Sequence, residues 1–440
     1  MTVIHRIGRD RTRGPPQEPG EYPAERPSPS RRSLRGLDWF VFFLADVQTG
    51  FGPFVAVYLT TQKWTQVEIG LVLSVSGLVA LAGQMPGGAL VDAVRSVRVV
   101  AGLAVAAIGV AALAYAALPT FLVVMMAAVL HASASCVLGP SIAGMSLGLV
   151  GQAAVGERFG RNARFASIGG GVAAAVMGAC GYFLSSRAVF LVTVALVIPT
   201  LLALAQIRAA EIAPERIRGA VPRRNDLPRQ GRSATGMVDL LRNRPLLTFA
   251  GCVLLFQLAN AAMLPIMAGV VTTRSSNWAT VLIAACIIVP QIVVAAMSPW
   301  VGRKAQQWGR RRLLLLGLAA LPIRGILFAT VTDPYVLVVI QVLDGITAAV
   351  FAVMLPLIIS DITFGTGRFS LALGLVGTAT GIGASISTVF AGYISDQHGS
   401  SAAFFALAVV ATVGLALAYT LMPETRRTGD IPSLSSSPAS

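Results

Sequence analysis

The feature that most constrains this chain is a series of apolar stretches, each long enough to cross a lipid bilayer. A transmembrane helix needs about 20 apolar residues, and a backbone inside hydrocarbon must satisfy its own hydrogen bonds. Each stretch is therefore expected to form a helix. The stretches predict twelve transmembrane helices, at residues 37–60, 67–91, 98–118, 120–150, 164–185, 188–208, 245–271, 278–300, 312–331, 334–362, 369–395 and 401–422.

The composition leads to the same fold class. Of the 440 residues, 55% are hydrophobic and 12% are charged, and the mean hydropathy is +0.74. Soluble globular domains carry about twice that share of charged residues. The sequence therefore predicts an all-α polytopic membrane protein and excludes a soluble one.

The basic residues indicate the orientation of the chain in the membrane. A formal net charge of +15 could suggest a nucleic-acid partner, but no RNA- or DNA-binding motif accompanies it. Except for Lys63, Arg187, Arg274 and Arg324, the Lys and Arg residues lie in the tails, in the loops after even-numbered helices, or at the adjoining helix ends. This is the positive-inside pattern. It predicts that both termini are cytoplasmic and that the chain binds no nucleic acid.

The predicted helices form two sets of six around a basic segment that lacks apolar periodicity. Gly88 and Gly302 are separated by nearly the same length of chain as Pro53 and Pro265, which indicates a duplicated six-helix unit. The predicted parts are a disordered basic tail at 1–36, a bundle at 37–208, a cytoplasmic linker at 209–244, a second bundle at 245–422 and a cytoplasmic tail at 423–440.

The loop between predicted helices 2 and 3 contains a recognisable motif. It reads GALVDAVRSVR from Gly88, with an acid at Asp92 and Arg95 where a second glycine would complete the pattern G-x-L-x-D-x-x-G-[RK]. The corresponding loop of the second half begins at Gly302 and keeps the second glycine at Gly309, followed by Arg310. A glutamine replaces the acid in this second loop. Together the two loops contain the whole pattern, and neither contains it alone.

With its twelve helices, its central linker and these two loops, the chain resembles the major facilitator superfamily of secondary transporters over residues 37 to 422. This resemblance implies two pseudo-symmetric six-helix halves around a central cavity lined by helices 1, 4, 7 and 10. It does not identify the subfamily. The resemblance puts Asp46, His131, Asn260 and Asp344 around this cavity, with Gln48 and Gln257 nearby. Arg324, on helix 9, joins these candidate cavity residues as a possible partner of Asp344. The implied cytoplasmic gate comprises Gly88, Asp92, Arg95, Gly302, Gly309, Arg310 and Arg368, with Asp92 near the start of helix 11.

The depth of the charged residues in the membrane supports placing some of these cavity residues close together. Counted along each helix at about 1.5 Å per residue, Asp46 and His131 both lie near the middle of the membrane. Arg324 and Asp344 lie at similar depths on helices 9 and 10, so they could pair. A membrane-embedded carboxylate is costly and is usually functional, yet each of these groups could instead fix helix packing. The Arg324–Asp344 pair in particular could be static.

These observations predict a secondary active transporter that moves a small organic solute by alternating access, with proton coupling and export as the favoured mode. The alternatives are a uniporter, an organic-anion exchanger or uptake symporter and, more remotely, a sensor or scaffold. The G-x-S-x-G pattern at Ser146 lies inside a predicted helix and not on a strand-to-helix turn, so no enzyme is expected. Neither a cofactor nor a metal is expected. The predicted protein is a monomer in a bacterial inner membrane, with lipid, protons and solute as its partners.

Overall fold

The computed structural model describes residues 29–49, 53–218, 240–274, 279–331 and 333–426, and within these residues it contains helices and no strand. The long helices, numbered below as membrane spans 1–12, have the following bounds. Span 1 comprises Arg31–Thr49 and Pro53–Thr61, spans 2 and 3 are Gln66–Ala93 and Val97–Ala117, spans 4 and 5 share Phe121–Phe183, span 6 is Ser186–Gln206, span 7 comprises Arg244–Asn260 and Met263–Arg274, and spans 8 to 12 are Ala279–Trp308, Arg310–Thr330, Pro334–Ile362, Phe369–His398 and Ser400–Leu421.

Spans 4 and 5 form a hairpin in spite of their continuous helical assignment. A straight helix of 63 residues would be about 95 Å long, roughly three times the hydrocarbon thickness. Gly151 interrupts it with φ 71° and ψ 177°, a conformation that favours glycine. The Asn162 side chain then reaches the Ser146 hydroxyl at 2.7 Å, which a straight helix would hold about 24 Å away. The chain therefore reverses at Gly151.

Ten segments of the described residues are long and apolar enough to cross a membrane. The hairpin in Phe121–Phe183 adds one crossing and the two-part span 1 adds another, which gives the predicted twelve. Three boundaries differ from the prediction by more than five residues. The first helix begins at Arg31 and not at 37, span 5 begins directly after Gly151 and not at 164, and span 8 ends at Trp308 and not at 300. In each case, polar residues extend the helix beyond the apolar stretch.

The first part of the predicted linker is structured. After the 3₁₀ turn Ala209–Glu211 and the short helix Pro214–Arg218, it docks on the end of span 4. The Ala213 N–H donates to the Gly148 carbonyl at 3.1 Å, and Arg216 Nη1 donates to the Leu149 carbonyl at 2.7 Å. These donors satisfy carbonyls that a helix end leaves open. Residues 219–239 of the linker, and 1–28 and 427–440 of the tails, lie outside the described residues.

The two halves repeat the same contact where they meet. Gly88 of span 2 lies against the Ser370 carbonyl of span 11, so close that a Cβ on Gly88 would overlap this oxygen. In the other half, Gly302 of span 8 lies in the same way against the Gly156 carbonyl of span 5. The length of chain between Gly88 and Gly302 equals that between Gly156 and Ser370. The repeat inferred from the sequence is therefore also present in the contacts between helices of the two halves.

A second pair of crossings lies one turn away from the first. Gly374 of span 11 packs on the Gln84 carbonyl of span 2, and Gly160 of span 5 packs on the Ser298 carbonyl of span 8, again with the same sequence offset between the halves. Small residues at such crossings let two membrane helices approach closely. Spans 2 and 11, and spans 5 and 8, are therefore in backbone contact at one end of the bundle. This end, which holds the four crossings, is called the latch end below.

Candidate transport cavity and latch

Asp92 ties the two halves together at the latch end. Its carboxylate accepts hydrogen bonds from the backbone N–H groups of Ser370 at 3.0 Å and Leu371 at 2.9 Å. These N–H groups belong to the first turn of span 11, whose own N-cap residue, Arg368, provides no side-chain cap. A carboxylate at this position satisfies open donors and favours the helix dipole. The contact predicted between Asp92 and the start of helix 11 is confirmed.

The other half replaces this carboxylate with an amide. Gln306, the counterpart of Asp92 in the sequence repeat, donates from Nε2 to the Ala153 carbonyl of span 5 at 3.0 Å. Its Oε1 accepts from Arg310 Nη1 at 3.1 Å. The ties that Asp92 and Gln306 form at symmetry-related positions therefore differ, since one is charged and the other is neutral.

A buried ion pair reinforces the neutral tie. Arg310, 1% exposed, donates from Nε to Asp361 of span 10 at 2.9 Å. Asp361 also accepts from Gln152 Nε2 at 2.6 Å, and Gln152 lies on span 5 in the other half. Gln152 further donates to the Ser360 hydroxyl at 3.1 Å. Asp361 and Gln152 were not among the predicted gate residues, although an acid at the end of an apolar helix was visible in the sequence.

The turn before span 9 is held by the C-terminal segment. Gly309, a predicted gate residue, is the N-cap of span 9 and has φ 87°. Glu424, just past span 12, accepts from the N–H groups of Arg310 at 2.8 Å and Arg311 at 3.2 Å. The end of the second half therefore braces the loop that carries Arg310 and its ion pair.

A cavity of about 380 Å³ lies between the two halves, immediately beside the latch end. It is lined from spans 1, 2, 4, 5, 10 and 11, and Gln84, which forms one of the glycine crossings, is part of its wall. Most of the wall is apolar. The other lining residues are Val41, Gly139, Pro140, Ile142, Ala143, Phe159, Asn162, Ala163, Ala166, Ala352, Leu355, Pro356 and Leu373.

A buried polar network that the sequence did not predict supports one wall of this cavity. Asp38, at the start of span 1, binds Arg158 at 2.6 Å and Arg161 at 2.5 Å, both on span 5. Arg158 Nε donates to Asn162 Oδ1 at 2.9 Å, and Asn162 Nδ2 donates to the Ser146 hydroxyl at 2.7 Å. The network joins spans 1, 4 and 5. It also fixes the orientation of Asn162, one of the two amide side chains on the cavity wall.

Arg324 contacts two of the other predicted cavity residues. Its guanidinium, 2% exposed, forms an ion pair with Asp344, as the helix depths predicted. Its Nη2 also donates to Asn260 Oδ1 at 2.8 Å, and the Met263 sulfur lies 3.2 Å from the same nitrogen. The Asp344 side chain is 26% exposed. Spans 7, 9 and 10 thus meet around one cation.

This cluster lies where span 7 is broken. The helix ends at Asn260 and restarts at Met263. The Ala262 N–H donates to the Ser387 hydroxyl of span 11 at 3.0 Å. Broken membrane helices are tolerated where neighbouring groups satisfy the freed backbone, and in transporters they often mark binding sites.

The remaining predicted cavity residues are not brought into this cluster by any described contact. His131 is half-buried on span 4, with Nε2 3.4 Å from the Ser135 hydroxyl one turn along the same helix. Gln257 is half-buried one turn before the break in span 7. Asp46 and Gln48 lie on the first helix, but their side chains are outside the described residues.

Arg95 and Arg368, two further predicted gate residues, lie near Asp92 in space or along the chain. Arg95 and Asp92 line a second cavity of about 320 Å³, together with Glu215 of the linker and Gly367. Arg368 precedes span 11, and its N–H donates to the Thr366 hydroxyl at 3.3 Å.

Among the described residues, no group of three or more His, Cys, Asp or Glu side chains is arranged to hold a metal.

Comparison with known proteins identifies the family. A family model described as the Major Facilitator Superfamily matches residues 39–321 and, in a second match, residues 250–437. The chain belongs to the major facilitator superfamily. It is therefore a multi-pass membrane transporter with the superfamily fold of two six-helix halves, and its subfamily is not identified.

Individual proteins are also similar to this chain. An uncharacterized MFS-type transporter of Mycobacterium tuberculosis (strain ATCC 25618 / H37Rv) is 37% identical over 401 residues, which cover 90% of this chain and 94% of the relative. A puromycin resistance protein of Streptomyces alboniger is 29% identical over 128 residues, which cover 29% of this chain and 25% of the relative. The structure of the Escherichia coli fucose:proton symporter matches with a TM-score of 0.71 at 14% identity, covering 88% and 98% of the two chains.

Proposed function

We propose that this transporter exports a small organic solute by alternating access and that an inward proton gradient drives the export. The observation that carries the proposal is the cavity of about 380 Å³, whose wall comes from both halves and whose neighbouring end is closed by the latch. A solute in this cavity has the latch between itself and one face of the membrane. Opening the latch while closing the other end would expose the solute to that face.

The contacts at the latch end can break and re-form, as alternating access requires. Asp92, Gln152 and Gln306 each contact the opposite half through hydrogen bonds, and the four glycine crossings add close packing. None of these is a covalent link, so rocking one half against the other can break them together. We assign the latch end, where most Arg and Lys residues lie, to the cytoplasm with both termini. The protein then acts as a monomer in the bacterial plasma membrane.

The wall of the cavity favours a largely uncharged solute. The amide groups of Gln84 and Asn162 are its main polar side-chain groups, and the rest of the wall is aliphatic or aromatic. Such a wall stabilises an apolar solute by removing it from water. The Streptomyces relative is a puromycin resistance protein, which supports export as the direction of transport.

Asp344 is our first candidate for proton coupling, with Asp46 and His131 as further titratable groups on spans 1 and 4. Asp344 is partly exposed while its partner Arg324 is buried. Protonation of Asp344 would remove the charge that holds Arg324 and leave Asn260 as the other polar partner of the guanidinium. A change of this kind at the break in span 7 couples proton binding to helix position.

The test is transport by the purified protein in proteoliposomes, with puromycin as the first probe and a panel of neutral and cationic organic compounds after it. We expect solute flux that rises with an imposed pH gradient and collapses when an ionophore dissipates the gradient. Equal flux with and without the gradient would favour a uniporter. Flux of organic anions or uptake into cells would favour the exchanger or symporter, and no flux of any compound would favour a sensor or scaffold.

A further inference from the structure

A groove of about 780 Å³ runs along the outside of the second half between spans 9 and 12. Each helix contributes residues at positions i, i+3, i+4 and i+7, which lie on one helical face. The span 9 face is Arg312, Leu315, Leu316 and Ala319, and the span 12 face is Thr412, Leu415, Ala416 and Tyr419. Trp308 closes the groove at the latch end. The small side chains on both faces leave the groove open between the leucines.

The polarity of the groove changes along its length. Arg312, Trp308 and Tyr419 lie at its latch end, while Ala319 and Thr412 lie about 10 Å further along by helix rise. The Thr412 hydroxyl donates to the Ala408 carbonyl of its own helix at 2.8 Å, so it is already satisfied. One end of the groove is therefore cationic and aromatic, and the remainder is apolar.

Positive charge is concentrated at the polar end. Arg312 lines the groove and is exposed. Lys304 Nζ lies 5.4 Å from the ring centre of Trp308, and the Arg311 guanidinium carbon lies 5.7 Å from that of Tyr419. The nearby acid is Glu424, whose two carboxylate oxygens accept backbone N–H groups of span 9. Arg312 thus lines the mouth of the groove, Lys304 and Arg311 lie against its two aromatic residues, and Glu424 is already engaged.

We propose that this groove binds one anionic phospholipid of the surrounding bilayer, with the phosphate at Arg312 and an acyl chain between the leucines. A phospholipid has the same order of groups as the groove, an anionic head followed by an apolar chain. Basic pockets between membrane helices recognise anionic head groups, and Trp and Tyr favour the membrane–water interface. The bound lipid would contact Arg312, which lies two residues along span 9 from Arg310 and its ion pair with Asp361. The site is separate from the transport cavity.

The test compares lipid binding by the full-length protein and three variants. Native mass spectrometry measures the apparent dissociation constants of dioleoyl phosphatidylglycerol and dioleoyl phosphatidylcholine, which differ in head group and not in chains. We expect the wild-type protein to prefer phosphatidylglycerol and Arg312→Gln to lower this preference about fivefold, since one arginine near an anionic lipid surface contributes about 1 kcal/mol. Ala416→Phe, which fills the apolar part, should weaken binding of both lipids.

Arg35→Gln is the matched control, because Arg35 is an exposed arginine at the same end of the bundle on span 1. It should leave the preference unchanged. An equal loss in Arg35→Gln and Arg312→Gln would refute the proposal by showing a general charge effect. An unchanged preference in Arg312→Gln, with the variant still monodisperse and thermally stable, would also refute it. Neither result depends on the transported solute or its direction.

Discussion

Replacing Asp92 with asparagine tests whether the latch holds the two halves in the observed state. The side-chain oxygen of the introduced asparagine could still accept one of the two N–H groups of Ser370 and Leu371, so one bond and the negative charge are lost. A hydrogen bond to a charged group contributes about 1.5–3 kcal/mol, and a charge at a helix N-terminus about 0.3–1 kcal/mol. Because each 1.4 kcal/mol is a factor of ten, loss of the bond alone should raise the fraction of molecules with an open latch about 10- to 100-fold.

The assay is the labelling rate of one introduced cysteine on the cavity wall. Ala166→Cys, in a chain whose four native cysteines are replaced by alanine, places a thiol at the cavity. A water-soluble maleimide is added from the latch side, and it reacts when the latch opens. With rapid opening and closing, the labelling rate follows the open fraction, so Asp92→Asn should raise this rate by the same factor.

Asp333→Asn is the matched control for this assay. Asp333 also accepts two N–H groups at a helix start, those of Tyr335 at 2.8 Å and Val336 at 3.3 Å. It caps its own helix, so the contact does not cross between the halves and is present whichever end is closed. We expect no change in labelling for Asp333→Asn. An unchanged labelling rate in Asp92→Asn, with normal insertion into the membrane, would contradict the role of Asp92 as a latch.

Two further predictions concern the other contacts of the latch end. Gly160→Ala should raise the same labelling rate, because its methyl overlaps the Ser298 carbonyl in the closed state and such overpacking costs about 1–3 kcal/mol; unchanged labelling would mean that the helices adjust without opening. Asp361→Asn should lower the unfolding temperature in detergent more than Gln152→Ala, because it leaves Arg310 buried without its counter-charge, a loss of about 3–5 kcal/mol; equal temperatures would show that the ion pair contributes little.

The sequence was sufficient for the features that a motif or a length determines. The twelve spans follow from hydrocarbon thickness, and the contact of Asp92 with span 11 was implied by the resemblance to the superfamily motif. The pairing of Arg324 with Asp344 follows from equal depth on neighbouring helices. For the spans and for the Arg324–Asp344 pair, length along the chain or depth in the membrane was enough.

The contacts that the sequence did not predict depend on how each helix is rotated about its axis. Asp38 binds Arg158 and Arg161, and Asp361 binds Arg310, because these side chains face the same interface. Helices that are apolar on all sides show little periodicity from which to infer that rotation. Span 5 adds a second difficulty, since its first polar turns resemble a loop in the sequence. The available signal for these ion pairs was an acid at the end of an apolar helix, which could have been matched with each arginine expected at the same end of the bundle.

The final prediction concerns Asp344, which can be a working group or one half of a static pair. Arg324→Leu or Asp344→Leu alone leaves a single charge in the cluster with Asn260 and Met263, and the unpaired charge should lower stability by about 3–5 kcal/mol. The double variant removes both charges and should recover expression and thermal stability. Fluorescence-detected chromatography and melting curves of the three variants measure this recovery.

Transport by the stable double variant then separates the two roles. If the two charges only neutralise each other, removing both should leave transport intact. We expect no proton-driven flux in proteoliposomes, because Asp344 is the partly exposed carboxylate beside the break in span 7 and would be needed to exchange a proton. If some flux persists but no longer responds to the pH gradient, Asp344 couples protons without being required for solute movement. Wild-type flux with wild-type gradient dependence would remove Arg324 and Asp344 from the transport site and leave Asp46 and His131 to be tested in the same way.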